Sequence, residues 1–178
     1  MNMVIAIDPG KAGGLAVFGA GKPFAYAMPD TAGDLLDLLR ELHQSATIEA
    51  REPVCVLELV GGFVGKKQPG SAMFKFGEGY GFIKGVIQTL GIPLELVRPQ
   101  DWQKVFHLGT SASCGGGKVW KNKLKAEAQR RFPHLKVTLA TADALLLGTY
   151  FLNSSKQNTV APCGGELASL LGGVTARR

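Results

Sequence analysis

Three acidic residues lie inside apolar segments of a 178-residue chain that contains only 14 Asp and Glu residues. Asp8 closes the run VIAIDPG, Glu58 lies within VCVLELV, and Asp143 lies near the start of the apolar segment ATADALLLG. An unpaired carboxylate in a core is costly, so such residues are usually paired or bound to a metal ion. Carboxylate oxygens suit Mg²⁺ or Mn²⁺, which hold phosphodiesters and activate water. We therefore interpret Asp8, Glu58 and Asp143 as candidate catalytic residues and metal ligands.

Each of these acids also has an ordinary structural explanation. Asp8 could initiate the turn at Pro-Gly, Glu58 could pair with a lysine, and Asp143 could be a charge at a helix N-terminus. A shared site requires that the first and fourth strands are neighbours and that the last helix packs across their ends. Under that condition the three carboxylates converge at one point.

The hydrophobic pattern predicts elements in an order that permits this convergence. The predicted strands cover residues 3–8, 15–18, 24–27, 53–60 and 94–97, and the first three form a meander. The predicted helices begin after a Thr31 cap and then cover residues 76–90, 99–106, 118–132 and 141–152. Strands that cluster first and then alternate with helices indicate an α/β fold, with a mixed sheet flanked by helices.

The length and composition of the chain indicate one domain. A chain of 178 residues that is 46% hydrophobic can bury one substantial core. Beyond residue 152 the composition shifts to Ser, Asn, Gly and Ala. We expect a domain over residues 1–152 and a C-terminal tail over residues 153–178, either mobile or a short appendage.

The net charge favours a polyanionic partner. The formal charge is +6 at pH 7, and nucleic acid is the commonest partner of such basic proteins. No segment has the apolar length of a membrane span or the pattern of a targeting peptide, so we expect a cytoplasmic protein without a membrane partner. Cys55, Cys114 and Cys163 are far apart and form no C-x-x-C pair, which favours free thiols over a zinc site.

One segment concentrates positive charge. Residues 118–131 carry six basic residues against one acid, Glu127. Lys121 and Lys125 are four apart and share a helix face, which could bind a phosphate backbone. A solvated surface is the alternative. The candidate DNA-binding lysines are Lys118, Lys121, Lys123 and Lys125.

A second basic segment follows Glu58. Lys66, Lys67 and Gln68 belong to a Gly-rich and Lys-rich loop that should lie beside the carboxylates. Phe63 is the candidate for an aromatic side chain that stacks on a base. Such contacts would recognise DNA shape first, with Gln68 available to contact base edges.

Taken in order, these motifs resemble the RuvC-type Holliday-junction resolvases of the ribonuclease H-like superfamily, most closely a divergent branch found in bacteriophages and bacteria. The resemblance covers residues 3–152. Its pieces are IAIDPGKAGGLAVF, VLELV, QPGSAMFKFGEGYGFIKGVI, VRPQDWQKVF, KVWKNKLKAEAQRRFP and TADALLLGTY.

The resemblance implies a ribonuclease H-like nuclease that cleaves four-way DNA junctions with Mg²⁺, for which Mn²⁺ can substitute. Asp8 would bridge two metal ions, and Glu58 and Asp143 would each hold one. The products would be a 5′-phosphate and a 3′-hydroxyl. Paired nicks related by a two-fold axis need two equivalent sites, so the resemblance also implies a homodimer.

The sequence departs from the family at one position. Such resolvases generally carry a further Asp or His about one helical turn before the last carboxylate, where this chain has Ala140 within residues 138–142. Either three carboxylates suffice, another residue substitutes, or a ligand has been lost. A junction-binding protein that does not cut, and a related nuclease that acts on flaps or hybrids, are therefore alternative hypotheses. An actin-like kinase or ATPase would need a longer chain.

Overall fold

Five strands form one mixed sheet in the computed structural model, which describes residues 2–61 and 69–158. The strand order is β3-β2-β1-β4-β5. The β1–β2 and β2–β3 pairs are antiparallel, whereas β1–β4 and β4–β5 are parallel. The predicted meander and mixed sheet are therefore confirmed. The strands are β1 (Met3–Asp8), β2 (Gly14–Phe18), β3 (Phe24–Ala27), β4 (Pro53–Glu58) and β5 (Leu94–Val97).

Helices cover both faces of this sheet. They are α1 (Ala32–Ile48), α2 (Gly70–Thr89), α3 (Pro99–Gln103), α4 (Gly117–Arg131) and α5 (Leu139–Asn158), with a 3₁₀ turn at Lys104–Phe106. The central strand β1 is buried along its whole length. Ile5 and Ile7 pack in one core cluster with residues of α1 and α2. Val4 and Ala6 pack in the other, with residues of α3, α4 and α5. The alternation follows from the two-residue period of a strand.

Two helices differ in extent from the prediction. Helix α2 begins at Gly70 rather than residue 76. The sequence pattern missed its first turns because they are mostly exposed and so lack the apolar period that marks a packed helix. Helix α5 begins at Leu139, two residues early. The Thr138 hydroxyl accepts a hydrogen bond from the Thr141 amide at 3.3 Å, and so caps the helix start.

Helix α5 also continues to Asn158, past the predicted domain boundary at residue 152. Residues 159–178 lie outside the described part of the chain. The division into a domain and a tail therefore stays a prediction.

Helix α5 lies directly on the β1–β2 hairpin because glycine permits the approach. A Cβ atom on Gly14 would lie 2.4 Å from the Tyr26 carbonyl oxygen and 2.7 Å from the Ala140 carbonyl oxygen. A Cβ atom on Gly148 would lie 2.1 Å from the Phe18 ring. The start of α5 is thereby brought to the end of β1 where Asp8 lies.

In the described residues, no helix combines the length and apolar character needed to cross a membrane. Cys55 and Cys114 are free thiols, as expected, and Cys163 lies outside the described residues.

Candidate active site

Asp8 and Glu58 are adjacent at one edge of the sheet. Ile7 pairs with Leu57 in the parallel β1–β4 ladder, and each acid follows its strand's paired residue by one position. The carboxyl ends of neighbouring parallel strands open on the same edge, which is the usual place for a site in such sheets. The strand adjacency on which convergence depended is therefore present.

Asp143 joins these two acids from α5, which packs on β1 and β2. Asp143 as a residue is 3% exposed, and Asp8 is 9% exposed. Burial, and then the charges of Asp143 and Glu58, raise the pKa of Asp8 from 3.8 to about 7. Such repulsion requires proximity, so the three carboxylates share one electrostatic environment.

Glu58 is held by a hydrogen bond from the protein core. The Trp102 indole Nε1 donates to the Glu58 carboxylate oxygen Oε2 at 2.8 Å. Burial raises the pKa of Glu58, the hydrogen bond from Trp102 opposes that rise, and the charge of Asp143 adds to it. The indole thus stabilises the ionised form of a carboxylate that burial disfavours.

Lys121 places a positive charge among the three acids. Its Nζ forms an ion pair with Asp143 Oδ2. Burial lowers the pKa of Lys121, but Asp143, Asp8 and Glu58 together raise it above its ordinary value, so the amine stays charged. The other oxygen, Asp143 Oδ1, is buried and has no hydrogen-bond partner within residues 2–61 and 69–158. An unpaired buried carboxylate oxygen is an available ligand atom.

The site opens into a cleft of about 560 Å³. Asp8 and Glu58 line it together with Lys121, and the side chain of Lys121 is 47% exposed. Further lining residues are Phe76, Arg98 and Gln100. A second cleft of about 430 Å³ lies along α4 between His107 and Arg130, and none of the three candidate acids lines it.

The donor set is chemically suited to a hard divalent cation. The site contains three carboxylates, Asp143 Oδ1 has no partner among the described residues, and the pKa of Asp8 is raised. A cation would neutralise this excess of negative charge. Across residues 2–61 and 69–158, however, no three His, Cys, Asp or Glu side chains are already grouped as a metal centre. The residues therefore fit Mg²⁺ or Mn²⁺ by chemistry, without a preassembled ligand shell.

Comparisons with known proteins give different results for the sequence and for the fold. No family model and no curated protein matches the chain. Solved structures, in contrast, do match it, among them the following two. Thermus thermophilus RuvC in complex with Holliday junction substrate has a TM-score of 0.56 at 14% identity, covering 89% of this chain and 98% of that one. The Thermus thermophilus RuvC structure has a TM-score of 0.55 at 16% identity, covering 88% and 97%.

The chain has a RuvC-like fold. The α/β, ribonuclease H-like architecture expected from the sequence is thus confirmed over most of both chains. At 14% to 16% identity the likeness establishes architecture and leaves the chemistry to be argued from the site.

Within this RuvC-like fold, Ala140 lies one turn before Asp143 and supplies no ligand atom from its side chain. Asp101, an acid in a neighbouring motif, does not replace it, because Arg98 binds both of its oxygens at 2.8 and 3.2 Å. Thr141 is buried, and its hydroxyl is hydrogen-bonded to Thr138. Neither Asp101 nor Thr141 therefore takes the place of the further Asp or His, and the fourth ligand stays unassigned.

The four lysines of α4 do not share one surface. The spacing of Lys118, Lys121 and Lys125 places them on one helix face. This face borders the cleft, because Lys121 lines it. Lys123 lies elsewhere, with its Nζ 3.1 Å from Cys114 Sγ. Four further DNA-binding candidates lie outside the described residues: Phe63, Lys66, Lys67 and Gln68.

The site includes residues for which the sequence analysis gave no role. Arg98 and Gln100 follow β5, which pairs in parallel with β4, so they enter the edge where Glu58 lies. That adjacency was the signal that could have found them. Phe76 packs over the β1–β2 turn, where its ring would lie 3.0 Å from a Cβ on Gly10.

Proposed function

We propose that this protein is a structure-selective DNA endonuclease that resolves four-way junctions by paired, metal-dependent phosphodiester hydrolysis. The observation that carries the proposal is an open cleft lined by Asp8, Glu58 and Lys121, with the buried Asp143 ion-paired to Lys121. The RuvC-like fold supports it, because one solved protein of that fold is described in complex with a Holliday junction substrate.

Asp8, Glu58 and Asp143 are the residues that would hold Mg²⁺, or Mn²⁺ in its place. The cation, when bound, supplies Lewis-acid activation and neutralises charge at the scissile phosphate. Lys121 adds a fixed positive charge that can bind a phosphate oxygen and offset the negative charge that develops during hydrolysis. Burial of the acids strengthens each of these interactions, because the local dielectric constant is lower than in water.

The path of the DNA is proposed to follow the basic face of α4 into the cleft. Lys118 and Lys125 flank Lys121 on that face and would bind the phosphate backbone, which positions DNA without reading its sequence. Arg98 and Gln100 line the same cleft and would contact the strand near the cleaved bond. A protein that acts on DNA in this way would work in the cytoplasm, which is the host cytoplasm if the protein is viral.

A homodimer is proposed to form through α2. Gly77, Gly81 and Gly85 are spaced by four residues, so they share one face. No atom of the described residues lies within 4 Å of a Cβ at any of them. Each exposed glycine lowers helix stability by about 1 kcal/mol relative to alanine. Close packing of the same face of a second copy would offset this cost and relate two sites by a two-fold axis.

A second candidate function is binding of four-way junctions without cleavage. Two observations favour it: Ala140 provides no fourth ligand, and no metal centre is preassembled in the described residues. Such a protein would keep the basic cleft and the dimer and would lack only the chemical step.

A substrate comparison tests the proposal. Labelled four-way junction, flap, RNA–DNA hybrid and linear duplex are incubated with the protein in Mg²⁺, Mn²⁺ or EDTA. Preferential metal-dependent cleavage of the junction supports the resolvase. Tight junction binding without nicks in either metal supports the binding protein. Preference for the hybrid or the flap would contradict both and indicate a different nuclease of this fold.

A further inference from the structure

Trp102 connects the carboxylate site to the protein core. It belongs to the five-residue helix α3, its side chain is 0% exposed, and it lies in the core cluster that also contains residues of α4 and α5. Its ring meets the Phe106 ring edge-on at a centroid distance of 6.3 Å. The position of the indole is therefore fixed by packing, independently of anything bound in the cleft.

The indole nitrogen has a single hydrogen-bonding function, which is donation. A buried N–H group without an acceptor is costly, and here the acceptor is Glu58 Oε2 at 2.8 Å. A carboxylate has two oxygens that accept. The contact therefore restrains the orientation of the Glu58 carboxylate. The bond uses only Oε2, so it leaves Oε1 available to a cation.

The restraint on Glu58 differs from that on Asp143. The partner of Asp143 is Lys121, a long side chain with several rotatable bonds that is 47% exposed. Helix α3, in contrast, starts at Pro99, and its Trp102 is fully buried in the core cluster. Glu58 is thus the candidate ligand whose hydrogen-bond donor, the Trp102 indole, is held in place by the core.

We propose that Trp102 is a positioning residue, which orients the Glu58 carboxylate for a divalent cation and thereby sets the cation affinity of the site. This inference rests on the proposed function, because the cation is what Glu58 would hold. Loss of a hydrogen bond to a metal-binding side chain commonly lowers metal affinity or activity by about 10-fold to 100-fold. We expect an effect of about that order here. If the indole serves packing alone, its hydrogen bond affects stability and leaves cation affinity unchanged.

The test compares two Trp→Phe variants in the full-length protein. Trp102→Phe removes the N–H group and keeps an aromatic ring. Trp120→Phe is the matched control, since Trp120 is 5% exposed in the same core cluster. In the part of the chain that the structure describes, Trp120 makes no hydrogen bond to Asp8, Glu58 or Asp143. Mn²⁺ binding is measured by titration, and Asp8→Asn defines which part of the signal belongs to the site. We expect Trp102→Phe to weaken site-specific Mn²⁺ binding on the order of tenfold and Trp120→Phe to leave it near wild type.

A second measurement titrates the wild-type protein, and a variant serves only to assign its signals. The chain contains two Trp residues, so ¹⁵N-labelled wild-type protein gives two indole N–H signals. The signals are assigned with Trp120→Phe, and the protein is then titrated with Mg²⁺. We expect the Trp102 signal to shift during the titration and the Trp120 signal to shift much less.

The outcomes separate this inference from the proposed function. Equal Mn²⁺ affinity in wild type and Trp102→Phe, or a Trp102 signal that Mg²⁺ does not move while the site binds Mn²⁺, overturns the role of Trp102 alone. Mn²⁺ binding that is the same in wild type and Asp8→Asn overturns the proposed metal site, and this inference with it.

Discussion

At the scale of single residues, the site is defined by negative charge that the fold concentrates and only partly neutralises. Asp8 is buried beside Asp143 and Glu58, and Lys121 provides one compensating charge. The protein stores this repulsion because a buried acid cannot be screened by water. Site function and protein stability are therefore coupled through pH.

Asp8 predicts how stability depends on pH without metal. Its pKa is raised from 3.8 to about 7, so its stabilising contribution is full below about pH 4 and is lost as the pH rises through 7. We expect urea unfolding in EDTA to give a free energy of unfolding about 2–3 kcal/mol lower at pH 8 than at pH 5 from this group. Asp8→Asn should reduce the difference. An equal pH dependence in both proteins would contradict the coupling.

Lys121 predicts a loss of cleavage greater than the loss of binding. Lys121→Ala removes the positive charge beside Asp143, and we expect the cleavage rate to fall on the order of 100-fold. Junction affinity should change much less, because the other basic residues remain. The control is Lys22→Ala, an exposed lysine in the β2–β3 turn at the opposite end of the sheet. Equal effects of the two substitutions on single-turnover cleavage would refute a catalytic role for Lys121.

The residues of the site were not equally predictable from sequence. Asp8, Glu58 and Asp143 could be selected because each interrupts an apolar segment. Trp102 could not, since its partner Glu58 is 44 residues away and the contact depends on how α3 packs. Lys121 was one of four candidate lysines, and only the orientation of α4 distinguishes it from the others.

At the scale of elements, the pairing of strands brings the site together. Alternating and helical periods predicted the strands and the helices that flank them, because those periods are local. The parallel pairing of β1 with β4 is a contact between distant segments. The sequence could not predict this pairing, which the sequence analysis assumed as the condition for convergence of the three acids. The approach of α5 depends on Gly14, whose significance appears once Ala140 lies against it.

Helix α2 carries the prediction about assembly. Gly81→Leu places a bulky side chain on the glycine face, where it would prevent close packing of a second helix, while leucine itself favours helix. We expect light scattering during gel filtration to show a dimer for wild type and a monomer for this variant. The control is Gly79→Leu, which is exposed on another face of α2 and should remain dimeric. Dimers in both variants would remove α2 from the interface.

At the scale of the whole molecule, a net charge of +6, a basic helix face and an acidic centre combine in one arrangement. The net positive charge would attract a DNA backbone, while the acids at the sheet edge would hold the cation that acts on it. Two such molecules related by a two-fold axis would place two cleavage sites on opposing strands of a symmetric junction. The RuvC-like fold is consistent with this arrangement.

Cleavage of a labelled, immobile four-way junction by wild type and Asp8→Asn, in Mg²⁺, Mn²⁺ and EDTA, tests this central claim most directly. Asp37→Asn is the matched control, because Asp37 is a 65% exposed acid on α1. We predict paired symmetric nicks that require metal, persist in Asp37→Asn and fall by at least about 100-fold in Asp8→Asn, since the charge that holds the cation is lost. Tight junction binding without nicks in any metal, or equal cleavage by Asp8→Asn, would contradict the account.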